Sequence, residues 1–193
     1  LMSAAGGTIL VSCPVTDWKW GPRQELTQAD WQHSSKMLHV IDDIVAEYGM
    51  TQAMHPHLRT IVETRDDVKR ILELSDVGWT FDTGHMQIGG LDPLEFLDDA
   101  FDRIRHVHLK DVVIELAGPV FRGEQSIMEG VQAGMFSNLG QGDVPIAEIV
   151  QQLEVRGYDQ WYVLEQDAAI TTGEPDVGSG PILDVLRSIE FLS

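Results

Sequence analysis

The 193-residue chain sets 31 Asp and Glu against 13 Lys and Arg, a formal net charge of −18. That field opposes phosphate backbones and anionic headgroups, so neither nucleic acid nor a membrane surface is an expected partner. A single cysteine, Cys13, allows no intrachain disulfide and points to a reducing cytoplasm. The apolar fraction of 43% is that of an ordinary globular chain, no run approaches a membrane span, and the length predicts one domain over residues 1–193.

Taken in order, Thr8–Cys13 reads as a short buried strand closed by Pro14. A polar loop holding Trp18 and Trp20 follows. Thr27 and Asp30 have capping-box spacing ahead of a helix carrying Met37, Leu38, Ile41, Ile44, Val45 and Tyr48, with Gly49 as its stop. Together with Trp31, the two loop tryptophans are expected to pack in the core rather than line a pocket. A second strand, about Thr51 to His55, runs into His55-Pro56-His57, and Thr64 caps a helix using Val68, Ile71 and Leu72. The third strand ends at Asp82. Asp92-Pro93 starts a helix through Leu94, Leu97, Phe101 and Ile104. Arg105 to Val112 alternates, placing His106, His108 and Lys110 on one face. A long segment to Gly142 contains one short helix near Ser126–Ala133. A helix after Asp143 and Pro145 stops at Gly157, Trp161–Glu165 is the last strand, and Ile182–Leu192 is a terminal helix.

Five successive β-then-α units imply a parallel sheet covered by helices, with sites where the strands end. Five units fall short of a closed barrel. The expected fold is therefore α/β, the last five units of a (β/α)8 TIM barrel, with a self-contained doubly wound sheet as the alternative.

Polar residues gather at those strand ends. His55 and His57, Asp82 and His85, His106 and His108, and Glu165 fall on four successive strands. Singly, each has a structural explanation: a hydrogen-bonded histidine, a carboxylate capping the Gly84 turn, a surface ion pair. Their recurrence favours a mixed O/N metal site, suited to Mn²⁺, Co²⁺, Fe²⁺ or Zn²⁺ rather than Ca²⁺. No phosphate-binding glycine fingerprint is present, so no nucleotide cofactor is expected.

The ordered set His55-Pro56-His57, Val62-Glu63-Thr64, Asp82-Thr83-Gly84-His85, His106-Val107-His108-Leu109-Lys110-Asp111, Gly140-Gln141-Gly142 and Gly157-Tyr158-Asp159-Gln160-Trp161 before Glu165 resembles one group. It is similar to the inosose dehydratases and their relatives in the xylose isomerase-like sugar isomerase/epimerase superfamily, from about Met37 onward. The resemblance implies a (β/α)8 barrel with one divalent metal, Mn²⁺ or Co²⁺ foremost and Zn²⁺, Fe²⁺ or Mg²⁺ as alternatives. The superfamily's ligands fall by position on His55, Asp82, His108 and Glu165. Many relatives carry Glu at the first position, so Glu63 is the alternative first ligand. Arg59 stands where dehydratase-like members often have Gly. Three further β/α units precede this region in the superfamily.

The implied activity is metal-dependent dehydration of a cyclic keto-polyol of the 2-keto-myo-inositol type through an enediolate, a step of inositol or other carbohydrate catabolism. His85, His57 and Lys110 are the candidates for proton transfer, with Glu63 or Glu165 as a base. A ketose isomerase or epimerase is the alternative; a non-catalytic sugar-binding protein and an endonuclease relative rank below it. The expected partner is a small keto-sugar or keto-cyclitol, and a homo-oligomer is the one protein partner left open.

Overall fold

The computed structural model describes residues 1–193. β1 (Ile9–Ser12) leads through residues 13–27 into α1 (Gln28–Ala46). The start of α1 is fixed reciprocally: the Asp30 N–H donates to Thr27 Oγ1, and the Thr27 N–H donates to the Asp30 carboxylate. β2 (Thr51–Met54) and α2 (Arg65–Leu74) follow, and Thr64 with Asp67 repeats the same box. β3 (Trp79–Asp82) runs straight into α3 (Thr83–Ile88), and α4 (Pro93–Ala100) opens on the expected Asp92-Pro93 pair. After β4 (Ile104–Leu109) the chain makes an excursion through β5 (Asp111–Val112), α5 (Ile114–Phe121), α6 (Ile127–Gln132) and β6 (Phe136–Ser137). α7 (Ile146–Val155), β7 (Tyr162–Leu164) and α8 (Pro181–Phe191) complete it.

Strands β1, β2, β3, β4 and β7 lie side by side in that order and all pair in parallel. This is an open arc of a (β/α)8 barrel, with β1 and β7 at its edges. No helix is long and apolar enough to cross a membrane.

Alternation within the strands decides which side each residue takes. Trp79 and Phe81 point to the helices, where both meet Phe96 of α4, with ring centroids 5.3 and 5.6 Å away. Both are fully buried. Burial of each such side chain contributes about 1.5–3 kcal/mol, which pins the pleat. Thr80 and Asp82 are thereby turned to the inner face. Parallel register then sets Thr80 beside His106 and Asp82 beside His108.

Four local expectations change. The strand expected over Arg105–Val112 breaks at Lys110, because the Thr83 hydroxyl takes both backbone groups there: it accepts the Lys110 N–H at 3.0 Å and donates to Lys110 O at 2.7 Å. The two residues beyond pair antiparallel with β6 instead. α5 forms across Gly118-Pro119, a pair that argues against helix, because Ala117 and Val120 are buried and Asp143 accepts the Ile114 N–H. In α1 the buried stripe is Trp31, Ser35, Leu38 and Val45, while Met37, Ile44 and Tyr48 are exposed. Of the three tryptophans expected in the core, only Trp31 is there; Trp18 is 81% exposed and Trp20 39%.

The excursion after β4 is anchored by one buried carboxylate. Asp111 Oδ2 accepts the N–H groups of Gly140 and Gly142 at 2.8 and 2.9 Å, and Oδ1 accepts those of Val112 and Val144 at 2.9 and 3.1 Å. A Cβ on Gly142 would stand 2.3 Å from Asp111 Oδ1, so this approach requires glycine. Asp111→Ala would leave four donors without their acceptor, two of them on the buried Val112 and Val144, and we expect a loss of about 3 kcal/mol in chemical denaturation. An unchanged midpoint would show that the loop is held by other means.

Candidate metal centre

The four side chains at the strand ends converge. His55 follows β2, its N–H donating to Ser12 O at 2.8 Å, and Glu165 follows β7, its N–H donating to Leu109 O at 3.1 Å. Each thus extends the parallel ladder by one bond, bringing its side chain level with Asp82 and His108. One donor atom from each of His55, Asp82, His108 and Glu165 lies within 4.8 Å of all the others. His55 Nε2 is 3.2 Å and His108 Nδ1 3.5 Å from Asp82 Oδ2.

His108 Nδ1 and Glu165 Oε2 approach to 2.6 Å without hydrogen-bond alignment, and both atoms are sealed from solvent with no aligned hydrogen bond. Two orphaned, buried ligand atoms facing each other are what a shared cation would satisfy. Two imidazoles and two carboxylates also form a donor set for a first-row divalent ion. The residues therefore fit a metal.

The charged groups of the cluster also shift one another's titration. Burial works against the charge of Asp82, but the imidazoles of His85, His108 and His55 and the Lys110 ammonium overcome it and hold its pKa well below the usual range. Burial likewise opposes charge on His108, yet Asp82 and Glu165 outweigh it and raise its pKa to about 9. Lys110 is fully buried; its pKa would fall on that account, but Asp82, Glu165 and Asp167 raise it. Burial pushes His57 down to about 4, leaving it neutral.

The proton-transfer candidates flank the cluster as a column. His57 Nδ1 bonds to Leu58 O at 2.7 Å, which places its proton there and leaves Nε2 with a lone pair. Its ring lies 3.7 Å from that of His85, centroid to centroid, and His85 Nε2 is 3.1 Å from Lys110 Nζ. Glu63 is not part of this group. It is buried, but Oε1 accepts the Arg59 N–H at 3.0 Å and Oε2 faces Arg23 at 3.7 Å. His106 lies below His108, ring centroids 5.1 Å apart, and takes no part in the cluster.

Three neighbours escaped sequence reasoning. Asp167 meets Lys110 Nζ at 3.2 Å; its i+2 spacing from Glu165 was the available signal. Phe136 lies 4.6 Å beneath the same ammonium, and nothing in its local sequence marks it. Trp20 packs against His57 at 4.8 Å, visible beforehand only as one member of a Trp-rich loop.

Comparison with known proteins follows the same lines. Over 149 residues the chain is 37% identical to the inosose dehydratase of Geobacillus thermodenitrificans (strain NG80-2), covering 75% of this chain and 50% of that protein. The chain spans about half the length of the curated relatives it matches. Among solved structures, the 3-keto-D-glucoside 4-epimerase of E. coli superposes with a TM-score of 0.67 at 18% identity, over 99% of this chain and 65% of that one. The IOLI protein, solved with a binding zinc atom, gives 0.62 at 20% identity, over 86% and 56%. At these identities the structural likeness concerns the fold. Residues 1–190 match the family described as xylose isomerase-like TIM barrel, and the chain belongs to that family.

Proposed function

We propose that this chain carries the catalytic centre of a metal-dependent lyase that dehydrates a cyclic keto-polyol of the 2-keto-myo-inositol type. The observation that carries the reading is the convergence of His55, Asp82, His108 and Glu165 within 4.8 Å, flanked on one side by a neutral histidine and a buried lysine. The relatives named inosose dehydratase support the substrate class. Mn²⁺ or Co²⁺ is the proposed ion. Bound there, it would supply Lewis acidity toward the ketone and its neighbouring hydroxyl.

The chain's own groups account for the protons. His57 Nε2 takes the proton α to the ketone, while Nδ1–H stays bonded to Leu58 O, so the ring charges without turning. The C–H electron pair passes into the enediolate. When it returns, the β-carbon–oxygen bond breaks, and the departing hydroxyl takes a proton from the Lys110 ammonium and leaves as water. His85, between the two, keeps donor and acceptor apart: its ring lies against His57 and its Nε2 on Lys110. The proposed setting is the cytoplasm, where Cys13, a thiol pushed up to about 12 by burial, Asp82 and Glu165, stays reduced.

Two measurements follow. In calorimetric titrations with Mn²⁺, Asp82→Asn and His108→Ala should each weaken binding by at least about 100-fold, since even groups that only orient a ligand cost about 10–100-fold. Glu63→Gln should stay within about threefold of the parent, because its oxygens are held by Arg59 and Arg23. Loss of binding in Glu63→Gln, with Asp82→Asn unaffected, would move the centre to the other side of the loop.

After chelation, re-added Mn²⁺ or Co²⁺ should restore dione formation from 2-keto-myo-inositol, followed by absorbance. His57→Ala should lower kcat by about 10²–10⁴-fold, the usual weight of a positioned base. Metal-dependent deuterium incorporation with epimerised product and no loss of water, seen by NMR in D₂O, would replace the lyase by an epimerase.

A further inference from the structure

Residues 13–27, the loop after β1, hold one bulky side chain in a conformation such residues rarely adopt. Trp20 has φ +56°; apart from Arg59 it is the one non-glycine residue of the chain with positive φ. Contacts on both sides hold it there. The Asp17 carboxylate accepts the N–H groups of Lys19 at 2.9 Å and Gly21 at 3.1 Å, and Asp17 O accepts the Trp20 N–H at 3.0 Å. A Cβ on Gly21 would stand 2.5 Å from Asp17 Oδ2, so a larger residue there would displace the carboxylate that holds the turn. Two residues on, Arg23 clamps the loop to α2 through paired bonds to Asp67 at 2.5 and 3.2 Å.

The built turn lays the indole on His57, ring centroids 4.8 Å apart and planes inclined by 39°. His57 needs that contact. Its one side-chain hydrogen bond, Nδ1 to Leu58 O, fixes a single point and leaves the ring plane free to rock about it. His85 at 3.7 Å, Trp20 at 4.8 Å and His55 edge-on at 5.4 Å set the plane, and Trp20 is the one of the three that borders solvent. Trp18, in the same turn, packs on Lys19 Nζ at 5.2 Å and is otherwise in water. The turn therefore places one indole, at position 20, and not simply an apolar loop.

We infer that Trp20 is the positioning residue of His57: it keeps the imidazole seated against His85 and screens that face from water, so that Nε2 is presented in one orientation. The inference rests on the reading of His57 as proton acceptor, but its first test does not. Diethyl pyrocarbonate acylates an accessible, unprotonated imidazole nitrogen, and the modified His57 peptide can be followed by mass spectrometry without any substrate. In Trp20→Ala the rate at His57 should rise about tenfold, the factor equivalent to about 1.4 kcal/mol of ring–ring contact. Trp20→Phe should return to within about threefold of the parent, since a smaller ring still stacks. Trp18→Ala should leave the rate unchanged, and Asp17→Ala, which opens the turn, should move toward Trp20→Ala.

In turnover, Trp20→Ala should lower kcat about tenfold with KM unchanged, and Trp20→Phe should restore it, a split that a merely structural loop residue would not give. An unchanged His57 rate in Trp20→Ala, or a Trp20→Phe variant as reactive as Trp20→Ala, overturns the inference. If the parent protein turns over no keto-polyol, the proposed activity fails while the His57 rates still decide the role of Trp20.

Discussion

The carboxylate of Asp82 divides its two oxygens between two structures, and the site depends on that division. Oδ1 accepts the His85 N–H at 2.8 Å and so starts α3 directly at the end of β3. Oδ2 faces His55, His108 and Lys110 at 3.2, 3.5 and 4.0 Å. The group is fully buried, where an unpaired carboxylate costs several kcal/mol. Its partners are therefore a condition of the fold as well as of the chemistry. Because α3 begins at once, His85 is delivered between His57 and Lys110, three residues after the carboxylate that starts the helix.

Lys110 is the second buried charge, and its surroundings are shaped to its length. A Cβ on Gly84 would lie 2.7 Å from its Cγ, so that glycine makes room for the stem. Phe136 lies under the ammonium, and Glu165 and Asp167 meet it at 3.4 and 3.2 Å. Thr83 holds its backbone from α3, and Asp111 ties the next residues to the loop that follows β6. The chain's net charge of −18 is thus no guide to the centre, where cationic and anionic groups are matched within a few ångströms.

How much of this was legible in the sequence follows from what each feature depends on. The five parallel strands, the caps at Thr27 and Thr64, and the gathering of polar residues at the strand ends rest on short-range periodicity and on the rule that strand ends carry the site, whereas the choice of four among those residues is what the family resemblance implies. Glu63 is the alternative first ligand in the sequence because many relatives carry Glu where this chain has His55, and the loop that follows supplies one. Which way its carboxylate turns depends on Arg23, 40 positions earlier, and on the Arg59 backbone. The break at Lys110 and the helix across Pro119 were hidden for the same reason, since tertiary hydrogen bonds and burial override local preference there. Arg59 stands out in the sequence as an Arg where relatives often have Gly, and its φ of +66° supplies the reason. The position is left-handed, and here an arginine occupies it while its guanidinium donates to Val120 O at the end of α5.

The central claim is that His55, Asp82, His108 and Glu165 bind one ion between them. Crystals of the chain grown with Mn²⁺ and measured near the manganese absorption edge test it most directly. The account predicts one anomalous peak within bonding distance of His55 Nε2, Asp82 Oδ2, His108 Nδ1 and Glu165 Oε2, with the orphaned His108 and Glu165 atoms now its ligands. A peak bound instead by Glu63 or by surface carboxylates, with these four side chains unmoved and unliganded, would contradict it.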